Sequence, residues 1–273
     1  MLFCFGYGYV AQFIGEGGTS RSSHGKGKVI YKRGPFSNEI CESVEKADSL
    51  LISIPPEEEG DLLVPYIKEV LSSFTHLQWI GYLSSTSVYG DHKGKWVDET
   101  SETSPTSPQG SSRLKAEKQW LKLSEKASLP LHIFRLAGIY GPERNALEDL
   151  RVGKAQRVLK EGHVFSRIHI ADIIQTLKAS MQTPHPGRIY NIADNEPAPS
   201  HEVIRYGAEL LEIPPPPLIP FKEATLSSLS RSFYHDSKRV CNQRLLKELT
   251  PNLLFPTYRE GLRDIYASFK CSV

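Results

Sequence analysis

Short apolar runs, almost uninterrupted, alternate with helix-period segments through the first half of this chain. Leu2–Phe5, Lys28–Tyr31, Ser49–Ile54, Leu77–Ser84 and Leu131–Leu136 read as strands. They show no polar alternation, the mark of strands covered on both faces. Between them Leu62, Leu63, Ile67, Val70 and Leu71 recur at helical spacing, with Pro65 early in the run, and residues 110–127 form a second helical stretch. Strands alternating with helices imply a parallel sheet joined by crossover helices.

The first strand runs straight into Gly6-x-Gly8-x-x-Ala11. Gly6 allows the tight turn, and Gly8 lets the backbone approach a pyrophosphate at a helix N-terminus. The alternative is a close-packed strand-to-helix turn with no ligand. Tyr7, Tyr9 and Val10 complete the turn as candidate cofactor contacts. An acid at the end of the second strand would suit NAD, and a base NADP. Gly18-Thr19-Ser20-Arg21-Ser22 holds no acid, and Arg21 with Ser20 and Ser22 suits a 2′-phosphate. NADP is therefore the expected cofactor, with NAD as the alternative. Only eight residues lead from Ala11 to Thr19, whereas a βαβ crossover usually takes at least about 10–12. The expected fold class is α/β: a Rossmann-like, doubly wound parallel sheet with an unusually short first crossover and a smaller C-terminal substrate lid. Residues 1–142 form the expected dinucleotide-binding core. Residues 143–273 are mainly the lid, with a strand and helix returning to the core around 167–194. In the lid, Ser200 is a candidate N-cap, Pro214–Pro217 a stiff spacer, and two helices are expected around Leu245 and Leu262.

Composition removes several function classes. Lys plus Arg is 33 against 31 for Asp plus Glu, a net charge of +2 that gives no electrostatic footprint for nucleic acid or an anionic membrane. Cys4, Cys41, Cys241 and Cys271 form no CxxC pair, so neither a zinc site nor a disulfide framework is expected. Met1-Leu2-Phe3-Cys4-Phe5 carries no basic leader, and no apolar run reaches the ~18 residues of a membrane span. The expectation is a soluble cytoplasmic protein acting on a small-molecule substrate, without metal, membrane or nucleic-acid partner.

Five segments then follow in a distinctive order: Leu83-Ser84-Ser85-Thr86-Ser87-Val88-Tyr89-Gly90, Val97-Asp98-Glu99-Thr100, Arg135 through Pro142, Arg167 through Asp172, and Ile189 through Asp194. Together they resemble the extended short-chain dehydrogenase/reductases, the group of NAD-dependent nucleotide-sugar epimerases and dehydratases. Ser237–Asn242 followed by Leu245 resembles the atypical branch of that family. The resemblance implies that Ser85 is a catalytic hydroxyl at the end of the fifth strand. It implies that Ile54, Pro55 and Pro56 border the adenosine, and that Leu136, Ala137 and Gly138 line the nicotinamide. Thr86, Tyr140 and Arg167 are expected on the substrate side; the alternative for Tyr140 is a packed aromatic near the lid. The family often dimerises through two long outer helices, which here would present Leu63, Ile67, Leu114 and Leu121 to a homodimer.

The family's chemistry also needs a Tyr and, four residues later, a Lys that lowers the phenol's pKa. Gln109 and Arg113 stand there instead, and no Tyr lies between Gly90 and Ile139. Neither residue titrates usefully, and losing a general acid/base typically costs ~10²–10⁴ in rate. Gln109, Arg113, Ala116 and Trp120 share one helical stripe, polar at its start and apolar at its end. Two functions follow. One is an NAD(P)-dependent oxidoreductase or epimerase acting on a nucleotide-sugar-like or other carbonyl or hydroxyl substrate, with Ser85, Gln109 and Arg113 as its catalytic candidates. The other is a catalytically silent dinucleotide-binding sensor or scaffold.

Overall fold

The computed structural model describes residues 1–15, 17–21, 28–70 and 76–270. In chain order the elements are β1 (Leu2–Phe5), α1 (Tyr9–Ile14), β2 (Gly18–Ser20), β3 (Lys28–Ile30), α2 (Asn38–Glu45), β4 (Ser49–Ile52), α3 (Val64–Val70), β5 (Trp79–Ser85), β6 (Trp96–Val97), α4 (Pro108–Ala127), β7 (Leu131–Leu136) and β8 (Gly138–Tyr140). There follow α5 (Ala146–Arg151), β9 (Arg157–Leu159), β10 (Arg167–His169), α6 (Ile170–Gln182), β11 (Ile189–Ile192), α7 (Ser200–Leu210), β12 (Leu218–Pro220), α8 (Ser228–Phe233), β13 (Arg239–Val240), α9 (Gln243–Glu248) and α10 (Tyr258–Lys270). The chain divides into two compact units. The first holds residues 1–88, 108–135 and 174–190, and the second residues 89–107, 136–173 and 191–273.

Seven described strands form one parallel sheet in the order β11-β7-β5-β4-β1-β2-β3. Strands β1 and β4, neighbours in the sheet but not in the chain, pair in register from Leu2↔Ser49 to Phe5↔Ile52, and the strand order reverses beside β1, as in doubly wound folds. Every residue of β4 and of β7 is buried, the physical counterpart of their unbroken apolar runs. Helix α4 covers the sheet with Ala116, Trp120 and Leu123 while Gln109 stays exposed, so the stripe does run from polar to apolar. Leu63 and Ile67, expected on a dimer face, are instead buried in the unit's own core, where their apolar surface is already covered. Helix α3 begins at Val64, after Leu62 and Leu63, and Pro65 falls in its first turn, where a missing N–H costs nothing; Leu71 lies outside the described residues.

Glycines let the short first crossover close against β1. Helix α1 has six residues and β2 three, yet β2 pairs with both β1 (Cys4↔Gly18) and β3. A Cβ on Gly18 would lie 2.2 Å from the Cys4 carbonyl oxygen, and one on Gly15 would lie 2.6 Å from Cys4 Sγ. Two glycines thus let an abbreviated loop return against β1 at a distance no side chain would allow.

The second unit contains three two-stranded parallel ladders, β8–β10, β9–β12 and β6–β13. Helices α5, α7 and α10 bury Leu147, Val203, Tyr258, Leu262 and Ile265 among themselves. Ser200 is not the N-cap of α7: extended Pro199 takes that place and supplies no side-chain bond, and Ser200 is the first helical residue. Among the described residues no helix is long and apolar enough to cross a membrane.

Candidate functional site

The glycine turn of the first unit is held from behind and open in front. Gly6 has φ +92°, and a Cβ there would lie 2.8 Å from Ile54 N. Thr19 of β2 pins the turn: its Oγ1 accepts from Gly6 N at 2.9 Å and its carbonyl from Tyr7 N at 2.7 Å. Tyr7 donates its hydroxyl to Gly15 O at 2.6 Å, and Lys28 Nζ sits 5.0 Å from the Tyr7 ring centroid. Gly8 occupies the N-cap of α1 with no side-chain cap, and a Cβ there would meet nothing within 4 Å. The surface outside Gly8 is therefore clear for a close backbone approach, and a pyrophosphate fits it. Tyr9 opens α1 half-buried, whereas Val10 is buried. Pro55 is exposed, and Ile54 and Pro56 are half-buried just after β4. Ser20 ends β2, Arg21 is exposed directly after it, and Ser22 lies outside the described residues.

At the C-terminal end of β5, Ser85 Oγ accepts from Ser87 N at 3.1 Å and so opens a 3₁₀ turn over Thr86–Tyr89. On α4, Arg113 Nη1 donates to Leu83 O at 2.6 Å and to Tyr82 Oη at 3.4 Å, with the guanidinium 6.0 Å from the Tyr82 ring centroid. Its fixed charge thus braces the end of β5. Tyr82 cannot serve as the missing acid: it is fully buried, and desolvation pushes its phenol well above the ordinary range. One turn beyond Arg113 on α4 a buried network follows. Arg135 of β7 holds Glu117 through Nε (3.1 Å) and Nη2 (2.8 Å), and Ser84 Oγ donates to the same carboxylate at 2.5 Å.

Leu136, Ala137 and Gly138 open the middle segment of the second unit. Ala137 N donates to Ile192 O at 3.0 Å and Gly138 N to Ser166 O at 3.1 Å. Tyr140 and Arg167 both line a cavity of about 250 Å³ there, together with residues of α5, α7 and α10. Tyr140 also packs on Gly261, where a Cβ would lie 2.1 Å from its hydroxyl. Arg167 Nη1 donates to the carbonyls of Phe165 (3.0 Å) and Ala198 (2.9 Å). Asp194 is buried. Its Oδ1 accepts from Glu196 N at 3.1 Å, Oδ2 has no partner among the described residues, and desolvation pushes its carboxyl up to about 8.

The comparisons with known proteins agree with this geometry. Residues 69–193 match the model of the NAD dependent epimerase/dehydratase family. The chain is 30% identical over 219 residues to Protein YeeZ of Escherichia coli K12, covering 75% of this chain and 74% of that one. It belongs to the NAD-dependent epimerase/dehydratase family. A functionally unknown conserved protein from Silicibacter pomeroyi superposes with a TM-score of 0.88 at 40% identity, over 98% of this chain and 99% of that one. A dTDP-glucose 4,6-dehydratase from Bacillus anthracis, solved in complex with NAD, superposes with a TM-score of 0.75 over 99% of this chain and 96% of that one. At 17% identity it speaks for the fold alone.

Within this family member the structure gathers the expected residues into two groups. Gly6, Gly8, Ile54 and Thr19 form one group, in which Thr19 is an addition to the sequence reading. Tyr140 and Arg167 form the other, while Thr86 lies in the first unit. Sequence reasoning also missed Glu117, although a carboxylate among Arg113, Ala116 and Trp120 on one helix face was a signal for it. Asp172, at the end of the Arg167–Asp172 segment, accepts from the backbone of Leu254 (2.6 Å) and Phe255 (3.2 Å). Its burial pushes it up to about 6. Two donors from a segment some eighty residues away satisfy it better than its own helix, which is a tertiary choice.

Proposed function

We propose that this family member binds NADP(H) at the glycine turn and is an oxidoreductase or epimerase acting on a carbonyl or hydroxyl substrate. One observation carries the reading: a turn pinned by Thr19 whose outer face at Gly8 is clear of neighbours among the described residues. In this reading Gly6 and Gly8 take the pyrophosphate, Ser20 and Arg21 the 2′-phosphate, and Ile54, Pro55 and Pro56 border the adenine. Leu136, Ala137 and Gly138 face the nicotinamide, which when bound supplies hydride exchange.

Ser85 has one hydroxyl proton to donate to a substrate oxygen while its Oγ holds the 3₁₀ turn. Gln109, exposed on the first turn of α4, orients substrate or ribose by its amide. Arg113 holds the β5 end in place and contributes a fixed positive charge. None of these three passes a proton at neutral pH, so turnover is slow or the proton goes to and from water. That same absence favours the second reading, a dinucleotide-binding sensor without turnover.

Fluorescence titration with NADPH and NADH separately tests the first step. Tight NADPH binding, weak NADH binding and loss of the preference in Arg21→Ala are expected. No binding of either cofactor overturns both readings. Binding with no substrate-dependent change in nicotinamide absorbance, and no effect of Ser85→Ala, selects the sensor.

A further inference from the structure

The cavity of the second unit is lined by Arg167, whose guanidinium lies 5.6 Å from the Phe165 ring centroid and has Asp194 as its main attractive charge. Arg167 uses both protons of Nη1 on backbone carbonyls, and among the described residues Nε and Nη2 have no hydrogen-bond partner and no carboxylate lies within ion-pair distance. Burial pulls the guanidinium below its ordinary value, and Asp194, the nearest acid in electrostatic terms, is itself held largely protonated at neutral pH. Arg167 is half-buried, so this edge stays open to a ligand. The free Nε–Nη2 edge is the edge that Arg135 uses in this same protein to grip the two oxygens of Glu117. That fork matches a carboxylate.

The rest of the cavity suits a small, partly apolar body. Ile139, Val203, Ile204 and Leu262 line it, with Ser200 at the uncapped start of α7, whose dipole favours negative charge. Arg144 and Asp149, both exposed, line it too and offset one another. A volume of about 250 Å³ holds roughly eight waters at ~30 Å³ each. It lies below the ~300–1,000 Å³ of pockets that enclose drug-sized ligands.

We propose that this cavity binds a compact carboxylate, with both oxygens on the free edge of Arg167 and the carbon body against Ile139, Val203, Ile204 and Leu262. The proposal that this carboxylate is the substrate rests on the function proposed above; the binding itself does not. A small organic acid thereby takes the place of the nucleotide-sugar as the substrate class.

Ligand-observed NMR titration of the full chain with benzoate, benzamide and phenyl phosphate tests it without any cofactor. Saturable benzoate binding is expected, with benzamide weaker by about tenfold or more, since the charge-assisted fork is lost. Arg167→Gln lowers benzoate affinity by at least about tenfold. Because that change also removes two braces on the backbone, Val203→Phe provides a second arm: it fills the cavity, leaves Arg167 intact and also abolishes benzoate binding. Equal binding of benzoate and benzamide, unchanged binding in folded Arg167→Gln or Val203→Phe, or no binding at all overturns the proposal. So does Arg167-dependent preference for phenyl phosphate, or displacement of benzoate by UDP, which would make the cavity a phosphate or nucleotide site. A failed NADPH titration overturns the function proposed above and leaves this measurement standing.

Discussion

Arg135 and Glu117 face each other between β7 and α4, at 2.8 Å from Nη2 to Oε2, with both side chains almost wholly buried. Their pairing ties the helix that carries Gln109 and Arg113 to the sheet that carries Ser85. Removing one partner strands the other's charge in the core. Glu117→Gln is expected to destabilise the protein by about 3–5 kcal/mol. The double change Glu117→Leu with Arg135→Met recovers most of that, because an apolar pair of similar volume needs no hydration. Urea denaturation of the three proteins checks this; a single variant costing less than about 1 kcal/mol contradicts a buried ion pair.

Gly6 and Gly8 separate structure from binding. Gly6→Ala meets Ile54 in a left-handed backbone position, and a loss of about 1–3 kcal/mol is expected. Gly8→Ala has a negative φ (−90°) and empty space outside it, so stability changes by less than about 1 kcal/mol. NADPH affinity nevertheless falls by about tenfold or more, because the methyl stands where the pyrophosphate approaches. Thermal melts and cofactor titrations of both variants decide it.

Restoring the family's proton relay tests whether chemistry or binding is the chain's business. Gln109→Tyr with Arg113→Lys is expected to raise turnover of a reducible substrate by about 10²–10⁴. Arg113→Lys alone is expected to leave turnover low and to weaken the brace on Leu83. Steady-state nicotinamide absorbance measures both; no gain in the double variant favours the sensor.

Stability is expected to peak near pH 6.5. Burial pulls His132, His163 and His169 down to about 4 in the folded state. Their contribution is complete above the unfolded value of about 6.5 and is lost as pH falls toward 4. Asp194 and Asp172 work oppositely, raised to about 8 and about 6. Their contribution is complete below the unfolded carboxylate value of about 3.9 and is lost as pH rises through those folded values. From pH 6.5 to 8 only Asp194 among these five is still titrating, at up to about 1.4 kcal/mol per pH unit. Melting temperatures across pH 4–9 should show this fall, and Asp194→Asn should flatten it above pH 6.5.

The sheet and the glycine turn were legible in the chain because their causes are local. An unbroken apolar run buries both faces wherever it is placed, and a glycine that needs φ +92° announces a turn before any neighbour is known. That no Tyr lies between Gly90 and Ile139 was equally plain. Residue identity alone states what can titrate.

What the tertiary structure decided are matters of partner and depth. Periodicity shows that Leu63 and Ile67 are apolar but not whether the chain or another copy covers them, and they lie in the core. Gly15 and Gly18 read as loop residues until Cys4 shows why the returning strand needs them. Arg113 became a brace on Leu83, Glu117 the holder of Arg135, and Arg167 a cation with one free edge. Each of these depends on groups tens of residues away. The energy of a charge is set by the dielectric and the partners around it, which no spacing along the chain encodes.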